Sequence, residues 1–458
     1  MAVSRRSVLA AGLGVAAATT LAGTAPAAPA AVAPDPALLR ARRRAMRFLD
    51  LTLDAHAASG ALRLPQSYAD ELGLYTTAFT YDAALAALAY LVDDRPESLD
   101  RAALIGESLH YAQQHDPRYD DGRLRQAYHA GPYTRNGAVQ PDGFVRDDGT
   151  VNIGGAFGFV GSGAGEHAWA GIAWCALHQR TGDSRFLASA VAAGRWLAGT
   201  CRSTRSLGGF ADGFDRDGVR LRRVSTTRNA DLAAFFAHLA LVTGDQRWLA
   251  HRDHATALVR RMWNAPRQAF WHGSADGRVI DRGPLVLEAQ THSWLALRDG
   301  DHSGCLDTAG RRLTVTDTPT APNSSLRSGS VTGLTVSTES LTADPDTPIE
   351  PGVPAPDPRA VWLEGTAQHA AALAHSPAGA LAVDTAQRAL ARAQSQLSTA
   401  AHVADTPVPA GHGLPAASSP VHVGYLPSGY YPAKHVAATA WLVLALTRTN
   451  PLGPDPLP

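Results

Sequence analysis

Five carboxylates lie where apolar helices are predicted to begin, as in "WLEGTAQHAAALA" around Glu364. The five are Asp82, Glu166, Asp231, Glu288 and Glu364. A carboxyl group can donate or accept a proton, and apolar surroundings raise its pKa toward the range that suits a general acid. A first-turn carboxylate also stabilises its own helix by about 0.3–1 kcal/mol, so each one alone could be structural. Five of them at one place would indicate chemistry.

Polar and aromatic side chains accompany these carboxylates on or beside the same predicted helices. The candidates for contact with a substrate are Tyr81, His167, Trp169, Asn229, Gln290, His292, Trp362, Gln368, Tyr430, Tyr431 and His435. Aromatic rings beside carboxylates suit a sugar, because a sugar ring stacks on an aromatic face and its hydroxyls need hydrogen-bond partners. The sequence therefore predicts an oligo- or polysaccharide as the partner.

A repeated helical hairpin would bring the carboxylates together. Segments 176–199 and 237–263 each contain an apolar run, a Thr-Gly-Asp turn and a second run of helical period. The other hairpins and the two end helices are predicted at 81–113, 288–313, 364–397, 36–56 and 435–449. Five hairpins closed by a pair of end helices predict an all-α protein, an (α/α)6 toroid. The more apolar helix of each hairpin should lie inside, with all inner N-termini at one mouth.

Long loops enter the same mouth. Segments 128–165, 203–227 and 407–434 are rich in glycine and aromatic residues, and loops of this length are usually functional or disordered. A Pro/Thr/Ser/Asp-rich stretch at about 314–358 is predicted to be a lid-like insertion in a single domain that spans 34–458.

The N-terminus predicts export. Residues 1–33 carry Arg5 and Arg6 ahead of an Ala/Gly/Leu stretch and small-residue cleavage sites, which is typical of a twin-arginine (Tat) signal peptide. The apolar stretch is too short to span a bilayer stably, so we expect an extracellular or cell-envelope protein without a stable membrane anchor. Since 41 basic and 41 acidic residues balance, a nucleic-acid partner is not expected.

No cofactor or metal is predicted. Cys175, Cys201 and Cys305 are too few for a disulfide scaffold or a cysteine-based zinc site, although Cys201 and Cys305 could pair. The sequence "GSGAG" at 161–165 has no preceding strand, and "DRDG" at 215–218 lacks the remaining ligands of a calcium loop.

Four motifs carry a resemblance to known proteins: "TYDAALAALAYL", the "TGD" turns, "WLEGTAQHAAAL" and "YYPAKHVAATAWLVLAL". With them the chain, over about 36–451, resembles exported bacterial proteins of the six-hairpin glycosidase superfamily. The resemblance implies the toroid and an enzyme that hydrolyses or phosphorolyses glycosidic bonds, and polysaccharide lyases share the toroid. Thr227 and Arg228 stand where relatives place Glu-His before the Asn of the third inner helix. That departure puts in doubt any activity that depends on the missing Glu.

Glycoside hydrolysis with inversion needs a carboxylic acid that protonates the leaving oxygen and a carboxylate that activates water, about 6.5–9.5 Å apart. We expect Glu364 to be the acid, because Trp362 and the apolar helix start should desolvate it and raise its pKa. Asp82 is the expected base, beside Tyr81. The alternatives for either role are Glu166, Asp231 and Glu288.

Two other functions remain open. A polysaccharide lyase would abstract a proton next to a uronate carboxylate, with a Tyr or His base and an Arg to neutralise the acid. Candidates for those roles are Tyr81, His129, His167, His292 and Arg228. A non-catalytic carbohydrate-binding toroid would keep the aromatic residues but need no acid pair. An ultraviolet-absorbing product would identify the lyase, and binding without turnover would identify the binding protein.

Overall fold

Twelve α-helices build the part of the chain that this computed structural model describes, which is residues 35–69, 74–154, 157–453 and 457. The helices are α1 (Pro36–Asp54), α2 (Thr80–Leu91), α3 (Ser98–Gln114), α4 (Ala164–Thr181), α5 (Ser184–Trp196), α6 (Thr226–Thr243), α7 (Arg247–Arg261), α8 (Leu287–Leu297), α9 (Gly304–Leu313), α10 (Leu363–Ala374), α11 (Ala380–Leu397) and α12 (Val436–Leu446).

The even-numbered helices form a closed inner ring. Each packs against the next, and α12 packs against α2 to complete the circle. The odd-numbered helices lie outside, each beside its hairpin partner, and α1 packs against α12. The predicted (α/α)6 toroid is therefore confirmed, including its closure by the two end helices.

The hydrophobic pattern explains which helix goes inside. Helix α12 buries every residue from Val436 to Ala445, as a helix that is apolar all round must. The outer helix α7, by contrast, carries seven charged or histidine side chains within "RWLAHRDHATALVRR" and buries only Ala255, Leu258 and Val259. The inner helices thus supply the core, and the outer helices cover it with one apolar stripe each.

The Thr-Gly-Asp turns work as the sequence predicts. Gly182 follows α4 with φ +71°, a left-handed conformation that glycine adopts without strain. Asp183 then caps α5 by accepting a hydrogen bond from the backbone N–H of Arg185. Gly244, with φ +68°, ends α6 in the same way.

Short antiparallel strand pairs brace the loops at the helix ends. The strands are β1 (Thr77–Phe79), β2 (Ala127–His129), β3 (Tyr133–Arg135), β4 (Ala138–Gln140), β5 (Ser162–Gly163), β6 (Gly213–Phe214), β7 (Val224–Ser225), β8 (Trp263–Asn264), β9 (Ala269–Phe270), β10 (Gly273–Ser274), β11 (Thr314–Asp317), β12 (Val331–Leu334), β13 (Ala401–Val403), β14 (Thr406–Val408), β15 (Leu414–Pro415), β16 (Val421–His422), β17 (Gly429–Tyr430) and β18 (Lys434–His435). Strand β7 pairs with β10 and β15 with β18, and the other strands pair with a sequence neighbour. Strands β1, β5, β7 and β18 run directly into inner helices, so the pairs fix where those helices begin.

The segment predicted as an insertion at 314–358 starts as the β11–β12 hairpin. Its buried Asp317 accepts hydrogen bonds from the hydroxyls of Ser418 and Ser419, at 2.6 and 2.7 Å. These bonds tie the start of the segment to the loop that precedes α12. A role as a lid stays a prediction.

The predicted signal peptide at 1–33 lies outside the described residues. Within the described ranges, no helix combines the length and apolar character that crossing a membrane requires. Cys175, Cys201 and Cys305 are all buried free thiols, so the possible bridge between Cys201 and Cys305 is not formed.

Candidate active site

Side chains from the inner helices meet on the axis of the ring. Trp169, His292 and Trp441 come from the alternate helices α4, α8 and α12, yet their rings contact one another with centroids 5.7, 5.7 and 5.8 Å apart. Alternate helices of a ring are separated by a third helix, so only side chains that point along its radius can meet. Each of these three residues is the sixth of its helix. The second residue, four positions earlier, shares the same face.

Second-position residues place a carboxyl group above this aromatic floor. Glu364, the second residue of α10, is 2% exposed. Its Oε1 accepts hydrogen bonds from the Tyr81 hydroxyl at 3.0 Å and from Nε2 of Gln368 at 3.3 Å. Trp441 donates its indole N–H to the same Tyr81 oxygen at 2.9 Å, which leaves the tyrosine proton for Glu364. Oε2 lies 3.5 Å from Nδ1 of His435.

Burial raises the pKa of Glu364 to about 7. The neighbouring His435 opposes this rise, while the carboxylates of Glu288 and Asp82 add to it. A carboxyl group with that pKa is partly protonated near neutral pH, as a general acid requires.

Asp82 is hydrogen-bonded to a histidine. Nε2 of His435 donates to Oδ2 of Asp82 at 2.9 Å, and both side chains are buried. Burial alone would lower the pKa of His435, but Asp82 and then Glu364 raise it. Tyr68 covers the imidazole, with ring centroids 4.2 Å apart and planes 9° apart. The structure thus gives Asp82 a positioning role and does not favour it as the base that activates water.

A second aspartate–histidine pair lies on the other inner helices. Nδ1 of His292 lies 2.7 Å from Oδ1 of Asp231, and both side chains are fully buried. Burial disfavours the imidazolium, but Asp231 outweighs it and raises the pKa of His292. Nη1 of Arg228 lies 3.6 Å from the other Asp231 oxygen. Nε2 of His292 lies 3.9 Å from Glu288, so this pair connects to another candidate carboxylate.

Glu288 borders a cavity. The cavity has a volume of about 300 Å³, and Glu288 lines it together with Thr227, Arg228, His272 and Tyr425. The Glu288 side chain is 17% exposed, against 3% for Glu364. Thr227 and Arg228 therefore lie beside the same cavity as Glu288.

Glu166, in the first turn of α4, lies beside Gly163. Its Oε2 packs so closely on Gly163 that a Cβ at that glycine would lie 1.9 Å away. Burial disfavours the Arg228 cation, but Glu288, Glu166 and Asp231 together raise its pKa well above the usual value. Arg228 is therefore the positive centre that these three carboxylates share.

Three of the predicted substrate ligands are instead bonded to the main chain. His167, Asn229 and Gln290 are the fourth residues of α4, α6 and α8, a position turned away from the axis. Gln290 accepts from the N–H of Phe270 at 2.7 Å and donates to the carbonyls of Phe270 and Val286 at 2.9 and 3.0 Å.

Asn229 and His167 are held in the same way. Asn229 bonds both backbone groups of Phe210, at 2.8 and 3.0 Å. His167 accepts from the N–H of Leu124 and bonds the carbonyl of Gly163, and burial lowers its pKa to about 4. These fourth-position side chains anchor the incoming loop to its helix, and their polar atoms are occupied.

The other predicted aromatic ligands differ in exposure, because Trp362 is only 1% exposed whereas Tyr430 and Tyr431 are half-buried. Trp362 stacks on Tyr430, with ring centroids 5.2 Å apart. Tyr431 follows it in the chain, and partial burial raises its pKa to about 12. Several buried polar atoms of this region have no hydrogen-bond partner in the described part of the protein, among them Nε1 of Trp169, Nε1 of Trp362 and Nε2 of His292. Buried polar groups are normally paired, so these atoms suit the hydroxyls of a ligand.

The candidates for lyase chemistry come together only in part. Tyr81, His292 and Arg228 lie at the mouth, but Tyr81 is engaged with Glu364 and His167 with the main chain. His129 lies apart from them, in strand β2 against Thr76. No group of three or more His, Cys, Asp or Glu within the described ranges is arranged to hold a metal ion.

Solved structures of other proteins have a fold similar to that of this chain. No family model and no curated protein matches the chain. Among solved structures, cellobiose 2-epimerase from Spirochaeta thermophila is similar, with TM-score 0.54 and 14% identity over 91% of this chain and 98% of that one. The chain shares its (α/α)6 toroid fold.

Two further structures agree with this. A family 76 glycoside hydrolase from a bovine Bacteroides thetaiotaomicron strain gives a TM-score of 0.51 and 10% identity over 90% of this chain and 77% of that one. A D-mannose isomerase gives a TM-score of 0.55 and 12% identity over 89% and 96%. These likenesses support the six-hairpin resemblance at the level of the fold.

Proposed function

We propose that the protein is an exported carbohydrate-active enzyme that hydrolyses glycosidic bonds, with Glu364 as general acid. The observation that carries this proposal is the environment of Glu364. Tyr81 and Gln368 hold one carboxyl oxygen, which leaves Oε2 for the proton that goes to the leaving group. Burial raises the pKa of Glu364 to about 7, which keeps that proton available near neutral pH.

Glu288 is the base in this proposal. It occupies the second position of α8, as Glu364 does on the neighbouring helix α10. Packed helices lie about 8–10 Å apart, which matches the separation of about 6.5–9.5 Å that inversion requires. Glu288 also has the exposure to water that a base needs, through the cavity that it lines.

The proposed hydrolysis uses one proton transfer at each carboxyl group. Glu364 gives its proton to the glycosidic oxygen as the bond to the anomeric carbon breaks. Glu288 takes a proton from a water molecule whose oxygen bonds to that carbon from the opposite face. His435, 3.5 Å from Oε2, lies between Glu364 and Asp82 and can return a proton to the acid.

The walls of the site support a sugar as substrate. The half-buried Tyr430, which stacks on Trp362, offers an apolar face, and the unpaired indole and imidazole nitrogens offer partners for hydroxyls. The structures that share the fold bear the names of enzymes that act on sugars, which agrees with this substrate class.

A second candidate is a sugar epimerase or isomerase, and the two aspartate–histidine pairs favour it. An imidazole oriented by a carboxylate is a general acid and base, and His435 and His292 both have this arrangement. Two such groups could move a proton from one face of an open-chain sugar to the other.

One experiment separates the two candidates. The mature chain is incubated in deuterated water with α- and β-linked gluco- and manno-oligosaccharides, and the products are followed by proton NMR. A hydrolase yields new reducing ends with the inverted anomer formed first, and no deuterium at carbon. An epimerase yields no new reducing ends and places deuterium at C2. Retention of configuration would contradict the role of Glu288.

A further inference from the structure

A group of aromatic side chains around strand β2 has no part in the chemistry above. Tyr75, Tyr133 and Phe157 form a triangle, with ring centroids 5.3, 5.5 and 5.6 Å apart. His129 packs against it, 4.7 Å from the Tyr133 ring and 5.3 Å from the Phe157 ring. The three aromatic rings are only half-buried. We call these four residues the rim cluster.

The hydrogen bonds of His129 fix which nitrogen carries the proton. The hydroxyl of Thr76 donates its proton to the carbonyl of Gly131 at 2.8 Å. That hydroxyl can then only accept from Nδ1 of His129, which lies 3.3 Å away. Nδ1 therefore carries the proton, and Nε2 is left as a hydrogen-bond acceptor.

That acceptor is buried and unused. His129 is 1% exposed, and its Nε2 has no hydrogen-bond partner within the described ranges. Burial also lowers the pKa of His129 to about 4, which keeps the imidazole neutral and Nε2 a lone-pair acceptor at neutral pH. A buried acceptor of this kind calls for a donor such as a hydroxyl group.

The chain connects the rim cluster directly to the proposed catalytic site. His129 lies opposite Thr77 in the β1–β2 pair, and β1 runs into α2, which carries Tyr81. Tyr75 precedes Tyr81 by six residues, which span at most about 20 Å even when fully extended. One extended glycan can therefore reach both places.

We propose that the rim cluster is a second sugar-binding subsite, which takes a ring of the same glycan whose reacting bond lies at Glu364. The sugar ring stacks on the aromatic side chains, and one of its hydroxyls donates to Nε2 of His129. The substrate is then an oligosaccharide or longer chain. This inference rests on the proposed function for the class of ligand.

The test compares ligand length. Binding of α- and β-linked gluco- and manno-oligosaccharides with two to six units is measured by calorimetry for the full mature chain. The variants are Tyr133→Ala and His129→Leu, and Tyr119→Ala is the control because it removes an exposed tyrosine outside the rim cluster. Wild type and control should bind a six-unit glycan at least about tenfold more tightly than a two-unit glycan, and both variants should lose that gain. Binding of the two-unit glycan should stay the same.

The remaining outcomes separate failure of the subsite from failure of the proposed hydrolysis. Length-independent binding by the wild type, or a full gain with length in both variants, overturns the subsite. If His129→Leu does not fold, Tyr133→Ala decides alone. Binding that depends on length without any turnover contradicts the proposed hydrolysis but supports the subsite. Failure of the wild type to bind every glycan in the panel overturns both.

Discussion

Substitution of two buried glutamines, Gln290 and Gln368, should have different effects, although both residues were predicted to bind substrate. Gln290 uses both ends of its amide to bond the main chain, whereas Gln368 faces the axis and donates to Glu364. Methionine has a similar length and no amide group. We therefore expect Gln290→Met to lower stability and Gln368→Met to lower turnover.

The size of the first effect follows from the contacts. Gln290→Met leaves the buried N–H and carbonyl of Phe270 without their partner, at about 1–3 kcal/mol each. The free energy of unfolding should therefore fall by about 2–6 kcal/mol. For a folded unit of about 420 residues, the entropy of unfolding is roughly 0.9 kcal/mol per kelvin, so the melting temperature should fall by about 2–7 °C.

Gln368→Met is the matched control. Thr291, the other partner of Gln368, retains the carbonyls of Leu287 and Glu288 as acceptors, so little stability should be lost. The bond to Glu364 disappears, and turnover should fall about tenfold. Calorimetry gives the melting temperatures, and initial rates well below melting give turnover. Equal melting temperatures for wild type and Gln290→Met, or a large loss of turnover in that variant at low temperature, would refute the anchoring role.

Three further outcomes are expected. Because an acid must be protonated and burial raises the pKa of Glu364 to about 7, kcat/KM should fall as the pH rises through about 7, and a flat profile from pH 6 to 8 would count against it. Asp82→Asn removes the charge that contributes most to raising the pKa of His435. Since His435 lowers the pKa of Glu364 more than Asp82 raises it, the alkaline limb should move to higher pH, and a shift to lower pH would contradict the pairing. Replacement of Arg5 and Arg6 by Lys should retain the precursor in the cytoplasm, and fractionation that shows unchanged secretion would exclude the twin-arginine route.

Helical period and turn chemistry were enough to predict the fold. Gly182 and Asp183 mark a helix end and a helix start by backbone conformation and capping, which are local properties. Closure of the ring could also be predicted. Ten of the twelve helices pair as five hairpins, so α1 and α12 are left only with each other as partners. The bounds of the inner helices are set by strand pairs such as β15–β18, which join distant segments, and no local pattern shows that pairing.

The site was predicted only in part. Asn229 and Gln290 were grouped with Glu364 because they share a helix start, but they occupy the fourth position and not the second or sixth. Helical phase could have separated the anchoring side chains from the axial ones, and would have identified Trp441, the sixth residue of its helix.

Other parts of the site lay beyond local sequence patterns. Tyr68 comes from the loop before α2 and reaches His435 only in the folded chain, so no spacing indicated it. The engagement of Asp82 with His435 joins residues 353 apart in the sequence for the same reason.

The most direct test of the central claim measures turnover of Glu364→Gln with two leaving groups. Glutamine retains the length of the side chain and an oxygen that can accept from Tyr81, but it cannot donate a proton with a carboxylic pKa. On a natural glycosidic bond, kcat should fall by ~10²–10⁴ while the substrate still binds. On an aryl glycoside with an acidic phenol as leaving group, little protonation is needed, and most of the loss should disappear. Equal losses on both substrates, or full activity on the natural one, would contradict the role of Glu364 as the acid.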